Sequence, residues 1–443
     1  MEHVPELAAA DSPGPRRSLV LAGGGMRVAY QAGVLRALAE DGLRYAHADG
    51  ASGGTINLAM LLSGVSPKEM CERWATLDVK DFASLLPLRR YFRGPTQLAY
   101  GDADGLVERV FPHLGIDVER IRAARGIEGT FNVVDYGSKT NHAIPHTELD
   151  LDLLVAAVSL PIMLPPVAAR GSLYTDSVWI KDANLVEAAR RGAEEIWLVW
   201  CIGNTNVYRR GVLNQYVHMI ELSANGSVVE ELERIEERPG PAPALHVVKP
   251  DFPIPLDPDF FFGRIDARSL IAMGYRDARR YLEGRAAGGV PRDWTATKMS
   301  DPGRAVAFVE RWRSADLNLS LRVEIPDVDG FAAAGECSAS AAGWVAAPER
   351  AIAHGSFDGA GYELRFVSGG RAHELTLERA GRRTATATVR VGGEVVTRVL
   401  LRRSGLIREV HATSADTLAE RAAAMLAFVR ASRRFRTRRA ATR

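Results

Sequence analysis

The feature that most constrains this sequence is an alternation of short apolar segments with helical patterns, which begins at residue 18. Residues 18–22 (SLVLA) have the length and composition of a buried strand, and apolar residues then recur at helical spacing over residues 28–39. Further apolar runs of strand length follow at 131–134, 196–202 and 244–248. Strands that alternate with helices predict an α/β fold, a three-layer core whose mainly parallel sheet is covered by helices on both faces.

A different pattern begins after residue 303. Apolar and polar residues alternate from 317 to 325, and more strand-like segments follow, separated by glycine pairs at 369–370 and 392–393. This spacing predicts a small β-rich domain, either an antiparallel sandwich or a barrel. A final helical pattern carries an apolar stripe formed by Leu418, Ala422, Met425 and Val429.

The length of 443 residues is sufficient for more than one domain. The changes of pattern divide the chain into five predicted segments. These are a flexible leader (1–17), an α/β domain (18–283), a linker (284–303), a β-rich domain (304–410), and an amphipathic helix with a basic tail (411–443).

The cysteine content and the hydropathy pattern indicate the compartment. Three widely spaced cysteines without a CxxC pair predict neither a disulfide framework nor a zinc site, and they favour a reducing environment. Residues 1–17 lack the apolar core of a signal peptide. No segment reaches the roughly 18 apolar residues that span a bilayer. We therefore expect a cytoplasmic protein, either in solution or in peripheral contact with a membrane.

Gly50-Ala51-Ser52-Gly53-Gly54 is a G-x-S-x-G sequence between a predicted strand and a predicted helix. In that setting, small residues on both sides of the serine allow a sharp turn that exposes its hydroxyl. The following helix directs the positive end of its dipole towards the same place. Ser52 is therefore a candidate nucleophile, with Gly50 and Gly54 shaping the turn. The alternative is a glycine-rich turn with a solvated serine.

A second glycine-rich turn, Gly23-Gly24-Gly25, also lies between a predicted strand and a predicted helix. Amide groups in such a turn approach ligand oxygens closely, both in phosphate-binding loops and in oxyanion holes. A dinucleotide-binding G-x-G-x-x-G sequence would need glycine at position 28, which is Val28, and a Walker lysine is absent. The pattern therefore favours an oxyanion hole over a nucleotide-binding oxidoreductase.

A serine nucleophile needs a base, and the histidines do not supply an obvious one. None of the ten histidines lies in a setting that singles it out. His47 is close in sequence but belongs to the predicted strand before Ser52, while His142 and His146 lie in a predicted loop. A carboxylate that is sufficiently desolvated to act near neutral pH could serve instead of a histidine.

Three segments together resemble a known family: LVLAGGGMRVAYQAGVLRAL, then GASGGTINLAM, then AAVSLPIMLPPV followed by GSLYTDSVWIKDANLVEAARRGAEEIWLV. In this order they resemble the patatin-like phospholipases, over roughly residues 18–282. The resemblance implies an α/β core with a serine–aspartate dyad and no catalytic histidine. Ser52 matches the family nucleophile, and Asp176 matches the aspartate of the family's D-G-G or D-G-A motif. The oxyanion loop matches Gly23, Gly24, Gly25 and Arg27.

Two departures from the family pattern bear on the site. Val28 replaces the last glycine of the family's first motif, at a position inside the predicted helix. Ser177 and Val178 follow Asp176 where the family has two small residues, so that the Ser177 side chain is expected to reposition the carboxylate or bond to it. Asp182 is a rival acid, but Asp176 fits the end of a strand and is preferred. Ser159 and Pro161 match a helix–loop segment before the acid, for which we expect a structural role.

The resemblance implies a lipid acyl hydrolase of the phospholipase A or esterase type, with a Ser52 acyl-enzyme and Asp176 as base. Its substrate is a lipid or another carboxylic ester, and neither a metal nor an organic cofactor is required. Two alternatives on the same fold stay open. One is a non-catalytic lipid-binding protein, which the altered sequence after Asp176 favours. The other is an acyltransferase that forms the same acyl-enzyme.

Two basic features bear on partners. Arg27, at the start of a predicted helix, is placed to attract a lipid phosphate; the alternative is a solvated residue. Residues 430–443 contain seven arginines and no acid, so that with the apolar stripe they would bind an anionic membrane weakly. Alternatively, the stripe packs on the preceding domain and the arginines form a solubilising tail. We expect no nucleic-acid binding, because Phe435 is the single aromatic residue in this run.

Overall fold

The chain folds into two compact units. The α/β unit comprises Met1–Phe262 and Asp277–Ser300, and the β-rich unit comprises Gly263–Arg276 and Asp301–Arg443. A computed structural model describes residues 2–9, 14–77, 84–85, 99, 101–254, 265–301, 305–334, 339–347, 349–381, 383–404, 408–412 and 418–434.

The α/β unit is built on a mixed sheet with helices packed around it. Its strands are β1 (Arg17–Leu21), β2 (His47–Gly50), β3 (Ser84–Leu85), β4 (Gly101–Asp102), β5 (Glu128–Asp135), β6 (Thr140–Pro145), β7 (Val167–Ala169), β8 (Ser172–Asp176), β9 (Glu195–Val199) and β10 (Ala244–Val248). The α-helices between residues 17 and 300 are α1 (Ala29–Glu40), α2 (Gly53–Leu62), α3 (Pro67–Thr76), α4 (Phe111–Leu114), α5 (Val118–Arg122), α6 (Leu151–Ala156), α7 (Leu185–Arg190), α8 (Val212–Glu236) and α9 (Ala267–Gly284).

The main sheet has the strand order β10-β9-β1-β2-β5-β8-β7, with β6 also paired to β5. The five strands from β10 to β5 are parallel, and β6, β7 and β8 run antiparallel to their neighbours. Strand β1 lies at the centre, where Leu19, Val20 and Leu21 are fully buried, as expected for a parallel strand covered on both faces. Its carboxyl end therefore delivers the first glycine turn to the middle of the sheet edge.

The ends of the predicted α/β domain differ from the expectation. Residues 2–9, placed in a flexible leader, are held against the unit: Leu7 is fully buried and its carbonyl accepts a hydrogen bond from the Tyr45 amide. Within the predicted linker, Ala296 and Met299 are buried in the apolar core of the same unit. Both segments therefore contribute to packing, because their few apolar side chains find partners that a linear pattern does not reveal.

The β-rich unit is an antiparallel sheet that closes on itself. Its strands are β11 (Val306–Arg313), β12 (Asn318–Ile325), β13 (Ala339–Ala347), β14 (Glu349–Phe357), β15 (Gly361–Ser368), β16 (Arg371–Arg379), β17 (Thr384–Val391), β18 (Glu394–Arg403) and β19 (Arg408–Ala412). Its two further helices are α10 (Val328–Ala334) and α11 (Leu418–Arg434). Strands β11 to β18 pair in sequence order and β11 also pairs with β18, which makes a barrel rather than a sandwich.

The C-terminal helix α11 packs in the core of the β-rich unit. Phe428 lies with its ring centroid 5.1 Å from that of Phe308 on β11. The buried positions of the helix are Ala424, Ala427, Phe428 and Ala431. The predicted stripe is therefore not the packed face of the helix, since Val429 is 45% exposed and Ala422 is also exposed. Contact of the stripe with a membrane stays a prediction. In an alanine-rich helix, the single aromatic residue decides which face turns inward.

The predicted fold class is confirmed: a mixed α/β core is followed by an antiparallel β-rich unit and a C-terminal helix. Most of the basic tail, residues 435–443, lies outside the described residues, so the structure does not bear on that prediction. No helix in the described ranges has both the length and the apolar character needed to cross a membrane.

Candidate active site

Ser52 occupies a strained turn between β2 and α2. Its backbone angles are φ 48° and ψ −129°, a conformation that residues other than glycine rarely adopt. Such a residue costs about 1–3 kcal/mol and persists only where the surrounding structure enforces it. The turn places Ser52 directly before the first residue of α2, at the positive end of the helix dipole. The sequence prediction of a sharp strand–turn–helix is met by this geometry.

Two glycines allow this turn by removing side chains from a crowded contact. A Cβ on Gly54 would overlap the Leu21 carbonyl oxygen and lie 2.6 Å from the Ala22 oxygen. A Cβ on Gly50 would lie 3.0 Å from the Thr55 Cα. Helix α2 therefore approaches the end of β1 more closely than any other residue type at position 54 permits.

Asp176 is the last residue of β8, and its carboxyl neighbours the Ser52 hydroxyl. Its amide donates a hydrogen bond to the Ser159 carbonyl at 3.1 Å, so Ser159 has the structural role that the sequence predicted. One carboxyl oxygen, Oδ1, accepts a hydrogen bond from the Val178 amide at 2.8 Å. The other, Oδ2, is buried and accepts no hydrogen bond of standard geometry from the described residues.

Burial raises the pKa of the Asp176 carboxyl to about 7, while the Val178 amide and the neighbouring Ser52 hydroxyl lower it. The structure thus brings Ser52 and Asp176 together. A general base works best when its pKa lies near the working pH, because it is then both ionised and basic. Hydrogen bonds of this kind are often long before substrate binds and shorten in the reacting complex.

The unusual sequence after Asp176 contacts its carboxyl through the backbone. The Ser177 hydroxyl is buried and makes no hydrogen bond within the described chain, so it does not bond to Asp176. Val178 presents its backbone amide to the carboxyl and buries its side chain. The expected hydrogen bond from Ser177 to the carboxyl is therefore not formed, and the backbone amide of the next residue holds the carboxyl instead.

The first glycine turn borders Ser52. A Cβ on Gly23 would lie 2.9 Å from the Ser52 Cβ and would overlap the Asp182 Oδ1. The Gly23 amide donates to the Asp182 main-chain carbonyl at 3.3 Å, so this amide is already engaged. Within the described chain, the amides of Gly24 and Gly25 donate no hydrogen bond. Of the three predicted oxyanion donors, Gly24 and Gly25 thus remain, and Gly23 provides space.

Gly53 is a further site residue that the sequence analysis did not assign. A Cβ there would lie 2.7 Å from the Gly25 carbonyl oxygen and 3.2 Å from the Gly25 nitrogen. The residue after Ser52 therefore lies against the first glycine turn. Its position directly after a G-x-S motif was the signal, because the amide after a nucleophilic serine commonly serves an oxyanion.

Arg27 is buried rather than presented to solvent. Its side chain is 7% exposed and its Nε donates to the Gly24 carbonyl at 2.9 Å. Burial excludes the alternative of a solvated residue. A role of Arg27 in attracting a lipid phosphate stays a prediction. The guanidinium holds the glycine turn and lowers the pKa of the buried Asp182 carboxyl.

The histidine nearest in sequence does not reach Ser52. The His47 ring lies at the start of β2, where it contacts the Ser18 hydroxyl at 2.6 Å and the Thr130 hydroxyl at 2.9 Å. Burial lowers its pKa to about 3, which keeps the ring neutral. His47 therefore belongs to the polar interior of the sheet and not to the site.

A buried carboxyl beneath the turn, Asp49, was also missed by the sequence analysis. Its two oxygens accept hydrogen bonds from the Thr130 hydroxyl at 2.5 Å and from the Asn132 amide group at 2.7 Å. Asn132 donates further to the Gly50 carbonyl at 3.0 Å. This chain of contacts fixes the backbone that leads into Ser52. The sequence indicated this role of Asp49 in one way only, by placing an aspartate within a predicted buried strand.

Comparisons with known proteins agree with the resemblance seen in the sequence. Residues 19–190 match the family model described as Patatin-like phospholipase, which confirms the resemblance over that segment. The segment includes Ser52, Asp176 and both glycine turns. A search of curated proteins found no match to the chain. The family match supports assignment of this segment to a family of lipid acyl hydrolases.

Proposed function

We propose that the α/β unit is a lipid acyl hydrolase of the phospholipase A or esterase type, with Ser52 as nucleophile and Asp176 as base. The observation that carries this proposal is the strained backbone of Ser52 beside a buried carboxyl whose Oδ2 accepts no hydrogen bond of standard geometry from the described residues. Strain of this kind is retained where the resulting side-chain position is used. The match of residues 19–190 to the phospholipase family supports the same chemistry.

In the proposed reaction, Asp176 takes the proton of the Ser52 hydroxyl as the serine oxygen attacks the ester carbonyl. The tetrahedral oxyanion accepts hydrogen bonds from the Gly24 and Gly25 amides, with Gly53 as a third donor. Loss of one such donor typically costs about 10²–10³ in rate. The alcohol leaves with the proton that Asp176 holds, and water then attacks the acyl-enzyme to release the carboxylic acid and restore Ser52.

The assignment of the base is tested by two matched substitutions. Asp176→Asn and Ser52→Ala should each abolish hydrolysis of long- and short-chain esters, and the double variant should be no worse than either. Asp182→Asn serves as the matched control, since Asp182 is an equally buried carboxyl six residues further on. Full activity of Asp176→Asn together with an inactive Asp182→Asn would reverse the assignment.

The same proteins separate hydrolysis from the other activities open to this fold. A fluorophosphonate probe should label wild-type protein at Ser52 and leave Ser52→Ala unlabelled. A non-catalytic lipid-binding protein would bind lipid without labelling at Ser52. An acyltransferase would label, but would release acyl groups to an added alcohol in preference to water.

A further inference from the structure

Asp182 is a buried carboxyl that the proposed reaction does not use. Its side chain is 0% exposed, and neither carboxyl oxygen has a hydrogen-bond partner within the described chain. A Cβ added to Gly23 would overlap the Asp182 Oδ1 and lie 2.9 Å from the Ser52 Cβ. The carboxyl therefore lies beside both the nucleophile and the glycine turn.

An ionised carboxylate in this position is strongly disfavoured. Burial without a hydrogen bond of standard geometry from the described residues penalises the charge, and the nearby Asp176 carboxyl penalises it further. Of the two acids, Asp176 has the better-stabilised charge, because its oxygens face the Val178 amide and the Ser52 hydroxyl. When one proton is shared between the pair, it therefore belongs to Asp182.

The other groups around Asp182 do not reverse this preference. Arg27, in the turn before α1, and the Gly23 amide lower the pKa of Asp182, but burial and Asp176 outweigh them and hold it at about 8. Cys201, which follows β9, is a neutral thiol across the same range, since burial raises its pKa to about 12. Asp176, Arg27 and Cys201 are thus the titratable groups that act on this carboxyl.

We propose that Asp182 is a positioning residue that works in its protonated form, as the uncharged neighbour of the Ser52–Asp176 pair, and that its ionisation inactivates the site at alkaline pH. This rests on the proposed hydrolase function. A second negative charge beside Ser52 would repel the oxyanion that forms in the reaction. The proton on Asp182 removes that charge without removing the carboxyl that fills the space behind Gly23.

The test is the pH profile of ester hydrolysis from about pH 5 to about pH 10. In wild-type protein, kcat/KM should fall about tenfold for each pH unit above the alkaline midpoint. Asp182→Asn keeps the shape and cannot ionise, so it should retain neutral-pH activity within a few fold and lose the alkaline fall. A merely structural role for Asp182 would scale the whole profile and leave its shape unchanged, which would overturn the proposal.

Asp49→Asn is the matched control for a buried carboxyl that supports the turn from below. Whatever its effect on the level of activity, it should leave the alkaline midpoint in place. Loss of the alkaline fall in this variant as well would show that the effect does not belong to Asp182, and would refute the proposal.

Infrared difference spectra between neutral and alkaline pH test the proton itself, without turnover. Wild-type and Ser52→Ala proteins should both lose a protonated-carboxyl band that Asp182→Asn lacks and Asp49→Asn retains. Absence of that band overturns the proposal even if hydrolysis is confirmed. Conversely, its presence in a protein that hydrolyses no ester would uphold the protonated Asp182 while refuting the proposed function.

Discussion

The close contact of Gly54 with the end of β1 predicts that a single methyl group there damages both stability and the site. In Gly54→Ala, the new Cβ overlaps the Leu21 carbonyl oxygen and lies 2.6 Å from the Ala22 oxygen. Both obstacles are backbone, so no side-chain rotation relieves them, and the strand end that carries the glycine turn must move. We therefore expect a visible loss in spite of the better helix propensity of alanine.

The size of the loss follows from comparison with another helical glycine. A methyl group added to Gly226 in α8 would meet nothing within 4 Å, so Gly226→Ala should gain about 0.5–1 kcal/mol. Overpacking of a tight contact costs about 1–3 kcal/mol, which exceeds that gain at Gly54. At about 2–4 °C per kcal/mol, Gly54→Ala should lower Tm by several degrees while Gly226→Ala raises it.

Calorimetry measures Tm in this experiment, and the rate of fluorophosphonate labelling at Ser52 measures the effect on the site. A displacement of about 1 Å in a catalytic group commonly costs about 10² in rate, so labelling of Gly54→Ala should slow to that extent while Gly226→Ala keeps the wild-type rate. If Gly54→Ala were as stable as Gly226→Ala and labelled equally fast, the contact between α2 and β1 would not hold the site.

Four further predictions concern buried groups. Because the proposed base must be ionised, kcat/KM should rise about tenfold per pH unit to a midpoint at about pH 7; a midpoint near 4 would mean that Asp176 is not desolvated in solution. The pKa of Asp49 is raised from 3.8 to about 7. Its contribution to the free energy of unfolding is therefore full below pH 3.8 and is lost as pH rises to about 7, a change of ~4 kcal/mol. Asp49→Asn should flatten that part of a plot of unfolding free energy against pH. Phe428→Ala should cost about 3–5 kcal/mol of unfolding free energy, and Leu426→Ala, at a position 61% exposed, should stay within about 0.5 kcal/mol; equal effects would mean that the other face of α11 is buried. Glu310→Gln should destabilise the β-rich unit by about 3–5 kcal/mol, seen as an earlier melting transition, because Arg379 then loses its carboxylate partner.

The sequence was sufficient to predict features that depend on local chemistry. The turn at Ser52 follows from glycine placement and the mainly parallel sheet from periodicity, which act over a few residues. The choice of Asp176 came from the family resemblance. The burial of Arg27 could not be predicted in this way, because the groups near it include Cys201 and Asp182, which arrive from distant parts of the chain. The hydrogen bond of the Gly23 amide could not be predicted for the same reason, since its acceptor is the main-chain carbonyl of the distant Asp182.

The sequence did not predict which face of the C-terminal helix is buried, for a different physical reason. Alanine contributes little to the apolar contrast between the two sides of a helix, so several stripes fit α11 almost equally well. The choice between them is made by the cavity that the helix enters, where Phe428 reaches Phe308. Packing partners of this kind are tertiary information that periodicity does not contain.

The closure of the β-rich sheet has a consequence for how that unit assembles in time. Each strand from β11 to β17 pairs with the next strand along the chain. The seam between β11 and β18 instead joins residues about 90 positions apart through two pairs in the described chain, Trp312 with Arg403 and Arg313 with Arg402. Local hairpins form before such a distant pairing, so the seam is expected to close last in folding and to open first in the native state. Glu310 on β11 spans it, since its carboxylate meets Arg403 of β18 at 3.4 Å as well as the Tyr362 hydroxyl at 2.6 Å. Hydrogen exchange at the amides of this seam should therefore report the opening of the whole barrel. The buried Glu310 carboxylate opposes that opening through its contact with Arg403.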